Sequence, residues 1–535
     1  MKVSKVYSAQ VMGLSGVPIS IETDVTTGVY SFVIVGLPDQ NVSESKERVH
    51  AALKNSGYDS PKSRNHKLTV SLAPADIRKE GPMFDLAIAI SYLVSVGDIK
   101  CAFLDECIFV GELSLVGELQ KLKGSLAIAR TANKNGYKKL FIPKQNAGEA
   151  ALIKGLEVYG VSTIKEVVDF LKGEIKLEPE PHQKLKSTAN KYPDMSEVKG
   201  QQLAKRALLI AAAGGHNICL YGPPGTGKTM MAKAFAGILP ELTFEESLEV
   251  TGIHSIAGAS NSIITSPPLR SPHHTSSYVS IIGGGSVPKP GEITLAHRGV
   301  LFLDEFPQYA SEALEAMREP LEDGIVRISR ARGSEVFPAE FILLAAMNPC
   351  PCGYLGSKVK ECICRGGDIE RYQKKISGPI MDRIDLWVFV QNISYEELSR
   401  KSEKIKKEIS VNDKENKDGS KSEDIKEDSL SKEMREKIIN ARSLAETRNE
   451  NYKKINKTYK NKLNKTLSGK ELEIMSPLGE TETNILNKLA TQLSISPRAY
   501  HRMIRVARTI ADLDNSQHIK DAHIIEAFQY RPKLN

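Results

Sequence analysis

The chain has 535 residues, too many for one ordinary core; at about 150 residues per domain it divides into three or four units. Hydrophobic residues make up 41% and charged residues 26%, a globular balance, and no stretch approaches the roughly 18 apolar residues of a membrane span. A net charge of +8, from 73 basic and 65 acidic residues, excludes histone-like density and leaves any nucleic-acid footprint local.

The start, MKVSKVYSAQVMGLSG, lacks the apolar core of a signal peptide, and the low, odd count of Cys excludes a disulfide scaffold. A cytoplasmic, reducing location is expected. Lys67–Leu72 reads as a strand, Phe84–Val96 as a buried helix, and Glu106–Leu115 as two short strands or a hairpin. Gly124–Gly136 reads as a helix and Lys138–Ile142 as a further strand. Glu174–Ser196 is charged, Pro-bearing and poor in large apolar groups, so it reads as a linker. Lys199–Ala213 is helical by composition, and Asn217–Tyr221 is a short apolar strand.

After that strand comes Gly222–Thr229, GPPGTGKT, then a helical run. Strand, glycine loop and helix in that order make a phosphate cradle: Gly222, Pro223, Pro224, Gly225, Thr226 and Gly227 turn backbone N–H groups inward. Lys228 reaches the outer phosphates of ATP and Thr229 ligates Mg²⁺. Gly299–Glu305, GVLFLDE, is a buried parallel strand delivering two acids at its carboxyl end. Asp304 is expected to hold Mg²⁺ through water and Glu305 to orient the attacking water. Ile342–Pro349, ILLAAMNP, repeats the pattern and places Asn348 near the γ-phosphate, although Asn before Pro is also a common turn.

GPPGTGKT, LFLDE and AAMNP together resemble the ATPase core of AAA+ motors. The longer segments RSPHHTSS (Arg270–Ser277), GGGSVPKPGEITLAHRGVLFLDE (Gly283–Glu305), NPCPCGY (Asn348–Tyr354), SGPIMDRIDL (Ser377–Leu386) and SPRAYHRMIRVARTIADL (Ser496–Leu513) narrow the likeness. They resemble the magnesium-chelatase-like ATPases of the ComM/YifB family along nearly the whole chain. The implied fold is an α/β AAA+ P-loop core with an N-terminal Lon-protease-like α+β domain and a helical C-terminal lid. The implied division is 1–172 for the first domain, 173–196 for the linker, 197–395 for the ATPase, 396–432 for a charged insertion and 433–535 for the lid.

The resemblance further implies a homo-oligomeric, hexameric ring acting on branched or single-stranded DNA, with branch migration during natural transformation. Arg383 in MDRID matches the arginine finger, which acts on the neighbouring subunit's nucleotide; an ordinary pair with Asp382 or Asp385 is the alternative. Arg498 in SPRAY matches the lid arginine called sensor two, with Arg502 and Arg505 on the same helix as competitors. RKEGPMFDLAIAI (Arg78–Ile90) and the segment Gly111–Asn146 resemble those holding the Lon nucleophile and base, but Met83 and Leu126 stand at those positions. A thioether and an isobutyl group supply neither, so peptidase activity is not implied; nearby Ser71, Ser91 and Lys79 are left to geometry.

Cys350, Cys352, Cys362 and Cys364 form C-x-C-x9-C-x-C, which suits tetrahedral Zn²⁺ or is simply four reduced thiols in a loop. His273 and His274, adjacent on an extended segment, are expected on opposite faces and in a loop near pore or DNA. Gly324–Phe341 reads as a hairpin with Arg327, Arg330 and Arg332 near its tip, facing DNA phosphates or pairing with Glu319 and Glu322. Lys453–Lys470, with Tyr452 and Tyr459 interleaved, is a second basic stretch, also readable as a solvated face. Two other functions fit parts of this pattern: a magnesium-chelatase-type motor subunit that remodels a protein partner, and a nucleotide-switched scaffold. Glu305, Asn348 and Arg383 argue against the scaffold.

Overall fold

The computed structural model describes residues 3–182, 192–259, 263–285, 288–330, 333–357, 360–393, 429–457, 459 and 462–532. They fall into two compact units. One comprises Met1–Lys186 with Thr243–Thr265, the other Ser187–Leu242 with Ser266–Asn535. The charged insertion falls almost wholly outside the described residues, as does the middle of the linker.

In the first unit, β1 (Ser4–Met12), β2 (Ser15–Thr27), β3 (Ser31–Val35), β4 (His66–Ala73), β5 (Cys107–Phe109), β8 (Lys139–Pro143) and β9 (Glu157–Val161) form a mixed sheet. Its order is β3-β4-β2-β1-β5-β8-β9. The minor strands β6 (Glu112–Leu113) and β7 (Leu119–Gln120) form a separate hairpin. Period-two alternation feeds two cores. Phe109, Phe141 and Tyr159 point to one, while Ile108, Leu140 and Val158 point to the other. The first core is covered by α1 (Gln40–Asn55), α2 (Asp85–Ser95) and α5 (Ile164–Lys172), the second by α3 (Ser125–Lys134) and α4 (Lys144–Ala150).

Of the two readings of Glu106–Leu115, two short strands are found and the hairpin is not. Cys107–Phe109 joins the large sheet, parallel to β1 and β8, and Glu112–Leu113 pairs instead with Leu119–Gln120. Strands of two and three residues do not announce their partners. A second difference concerns Thr243–Thr265, which lies inside the range assigned to the ATPase but belongs to the first unit. Its helix, Phe244–Ala257, opens with a capping box of Thr243 and Glu246 and packs Leu248 into the core of α3.

The second unit is built on a parallel sheet. Its strands are β10 (Ile218–Tyr221), β11 (Leu269–Arg270), β14 (Val300–Leu303), β17 (Ile342–Met347) and β18 (Leu386–Phe389), in the order β11-β14-β17-β10-β18. Between β11 and β14 lies a small hairpin of β12 (Gly283–Gly284) and β13 (Lys289–Pro290). Between β14 and β17 comes the longer hairpin of β15 (Ile325–Arg330) and β16 (Gly333–Pro338), as the sequence predicts. β10, β14 and β17 are buried at every position, as a sheet covered on both faces requires. Helix α6 (Gln202–Gly214) precedes β10, and α7 (Lys228–Ile238) follows it. The C-terminal part is helical: Leu430–Ile455, Glu480–Gln492, Pro497–Leu513 and Asp521–Gln529 share a core with α6 and the sheet. Among the described residues no helix is long and apolar enough to cross a membrane.

Candidate nucleotide site

Three strand ends converge at the carboxyl edge of this sheet. β10 runs into Gly222–Thr229, β14 into Asp304 and Glu305, and β17 into Asn348. Gly222 is required by space: a Cβ there would sit 2.2 Å from the Val390 carbonyl oxygen. Gly227 caps α7 in the left-handed region, so the loop's N–H groups lie at the positive end of the helix. Thr226 Oγ1 donates to the Pro223 carbonyl at 3.0 Å and stiffens the loop.

Lys228 is 9% exposed. Its ammonium donates to the carbonyls of Gly222 and Pro223 at 2.7 and 2.8 Å and to Asn348 Oδ1 at 3.3 Å. Burial holds its pKa below the ordinary lysine value. Thr229 Oγ1 donates to Asp304 Oδ2 at 2.8 Å, and the other Asp304 oxygen accepts from the Glu305 N–H at 2.9 Å. These two hard oxygen donors form a set that fits Mg²⁺. Glu305 adopts φ 52°, ψ 43°, a left-handed conformation that costs a non-glycine residue energy and turns its carboxylate off the strand line.

That carboxylate has a partner that sequence reasoning missed. His274 Nδ1 lies 3.3 Å from Glu305 Oε2. The expectation of opposed histidines is corrected, because residues 273–275 form a loop and turn rather than a strand. The two rings lie side by side, tilted by 32° with centroids 4.2 Å apart. His274 thus belongs to the carboxyl edge, brought there by β11.

Arg383 lies at the other end of the strands. Its carbonyl accepts from Asn217 Nδ2 at 2.7 Å, just before β10 begins. The guanidinium is 14% exposed, donates to the Pro379 carbonyl at 2.7 Å and pairs with Glu322. Neither Asp382 nor Asp385 is its ion-pair partner; Asp385 sits 3.1 Å from His216. Arg502 is buried against the carbonyls of Asp382 and Ile384, and Arg505 donates to Leu467. Arg498 is exposed on the first turn of its helix, with no hydrogen bond or ion pair among the described residues.

Of the hairpin arginines, Arg327 is ion-paired with Glu319. Arg332 lies outside the described residues, and for Arg330 only the strand position is described. The second basic stretch is corrected in part. Tyr459 is buried against Tyr452, Lys462 pairs with Glu471, and Lys465 donates to Asn217 Oδ1 at 2.8 Å. The four cysteines converge, with all four sulfurs within 4.8 Å of one another. In the first unit, Leu126 is fully buried. The Ser91 hydroxyl is engaged with Ser4 and Thr23, and Lys79 donates to the Pro74 carbonyl; no hydrogen bond joins Lys79 to Ser71 or Ser91.

The description "Magnesium chelatase, subunit ChlI" matches residues 194–398, "Subunit ChlI of Mg-chelatase" matches 21–146, and its C-terminal counterpart matches 428–531. The competence protein ComM of Haemophilus influenzae is 38% identical over 99% of this chain and 98% of its own length. The chain belongs to the ComM/YifB family of magnesium-chelatase-like proteins. YifB of Escherichia coli is 37% identical over 99% of this chain and 97% of its own length. A 67 kDa magnesium-chelatase subunit of Chlorobaculum tepidum is 31% identical, but over only 29% of this chain and 23% of its own length.

Proposed function

We propose that this chain is an ATP-hydrolysing AAA+ ring motor acting on DNA, by branch migration or helicase-like remodelling. The observation that carries the reading is the convergence of Lys228, Thr229, Asp304, Glu305 and Asn348 at one sheet edge. In this reading Lys228 leaves its two carbonyls for the outer phosphates, and Asn348, already beside it, contacts the γ-phosphate. Glu305 aligns water for in-line attack. Thr229 and Asp304 would hold Mg²⁺, which neutralises charge on the phosphates. Arg383, on the far edge, is suited to serve a neighbour's nucleotide; Arg498 extends from the lid.

The first unit is read as a Lon-protease-like domain without peptidase chemistry, and the ring as a hexamer. ComM and YifB, similar along their full length, favour the DNA reading; the 67 kDa chelatase subunit matches under a third of the chain, although magnesium-chelatase family models match most of it. The test is the ATPase rate of the full chain with and without forked or four-way DNA at two salt concentrations. Turnover should rise with DNA, fall with salt, and vanish in Glu305→Gln. A rate indifferent to every DNA probe would return the reading to a protein-remodelling motor.

A further inference from the structure

The turn after Asn348 carries chemistry that nucleotide hydrolysis does not require. We propose that Cys350, Cys352, Cys362 and Cys364 form a tetrahedral zinc site that clamps the Asn348 turn against the phosphate loop. The clamp rests on the nucleotide reading above; the metal site does not.

Four thiolates around one Zn²⁺ at about 2.3 Å lie roughly 3.8 Å apart. The Cys350 and Cys352 sulfurs are 3.4 Å apart, and each is 3.6 Å from that of Cys362. Disulfide bonding would bring sulfurs to about 2.05 Å, and all four cysteines are free. Two backbone N–H groups point at the cluster: Cys352 to the Cys364 sulfur at 3.3 Å, and Leu355 to the Cys350 sulfur at 3.4 Å. Such donors stabilise thiolate charge and fix ligand direction around a metal. Among the described residues this is the one group of His, Cys, Asp or Glu so assembled. Soft sulfur donors in a tetrahedral set select Zn²⁺ over the hard cations. A polynuclear iron–sulfur cluster shares its thiolates among several irons and spreads the set of four wider than the 4.8 Å found here.

The site's position gives it a consequence. The strand end carrying Asn348 enters the loop directly before Cys350, and helix Gly366–Gln373 leaves it two residues after Cys364. That helix returns Gln373 to the Pro349 carbonyl at 3.4 Å. Between two of the ligands and the P-loop stands Gly353, at φ +85°, where a Cβ would fall 2.9 Å from Pro224 Cδ. A metal that joins 350–352 to 362–364 therefore fixes both the Asn348 side chain and the turn lying on Pro224.

The full-length protein, purified without added metal, should contain about one zinc per chain by elemental mass spectrometry. Cys352→Ser with Cys362→Ser should lower this below roughly a tenth. No metal in the unaltered chain, iron in place of zinc, or zinc retained by the double variant would each overturn the site. Should that variant fail to fold, titration of the unaltered protein with a mercurial decides instead. About four thiols should be consumed for each zinc released, and release without thiol modification overturns the assignment. The clamp is read by hydrogen exchange: amides of Gly222–Thr229 and Asn348–Leu355 should exchange on the order of tenfold faster once zinc is stripped. Unchanged exchange in Gly222–Thr229 removes the clamp and leaves the metal. Neither readout uses turnover, so failure here is separable from failure of the ATPase reading.

Discussion

Glu305 is a carboxylate on a strained backbone, and strain of that kind persists only where neighbours over-determine it. His274 is the neighbour that touches the carboxylate. Its contact fixes where that carboxylate points, so in the proposed mechanism its loss should damage turnover rather than nucleotide affinity. His274→Ala is expected to lower kcat about tenfold while the KM for ATP stays within about threefold. His274→Asn, which keeps a hydrogen-bonding group, should recover part of the rate. Steady-state kinetics on both variants check this, and an unchanged kcat would make His274 a bystander. The glycine cradle was legible because its spacing is local: eight consecutive residues carry both shape and chemistry. His274 was not, because the strand that delivers it has only two residues, Leu269–Arg270, behind two prolines. No alternation can be read from so short a run.

Elements were readable where periodicity is long. The hairpin of β15 and β16 and the buried helix α2 follow from their patterns. The turn Asn464–Thr466 shows the opposite case. Its sequence reads as part of a basic, solvated stretch, yet Lys465 donates to Asn217 Oδ1 and to the Phe341 carbonyl at the amino edge of the sheet. Charge alone could not reveal two acceptors more than a hundred residues away. Burial pushes the Lys465 ammonium down from the ordinary 10.5 to about 8. Below 8 both folded and unfolded chains hold this proton; between 8 and 10.5 only the unfolded chain does. Stability therefore rises with pH across that window, by the slope of about one proton. Lys465→Met should flatten the rise by that amount. Denaturation at several pH values within the window measures it, and an unaltered slope would show that Lys465 titrates normally.

At the scale of the whole molecule, the geometry of one chain leaves its own site incomplete in the proposed mechanism. Arg383 stands at the amino edge of the sheet and Lys228 at the carboxyl edge, so no rotamer of Arg383 brings it to the loop that Lys228 closes. The Glu322 partner of Arg383 was not legible in the sequence, being 61 residues away. The proposed head-to-tail ring would resolve the separation, its heterologous interface setting one subunit's amino edge beside the next subunit's loop. Lys228→Ala and Arg383→Ala should each abolish hydrolysis alone, the first by removing nucleotide binding and the second with binding intact. Co-expressed and purified through two different tags, they should regain activity. An Arg383→Ala subunit supplies the cradle, and its Lys228→Ala neighbour supplies the guanidinium. Random mixing in equal amounts makes such a pairing at about one interface in four, so about a quarter of the unaltered rate is expected if sites fire independently. A mixture as inactive as its parents, with both tags recovered in one oligomer, would place the arginine in its own chain's site or outside catalysis altogether.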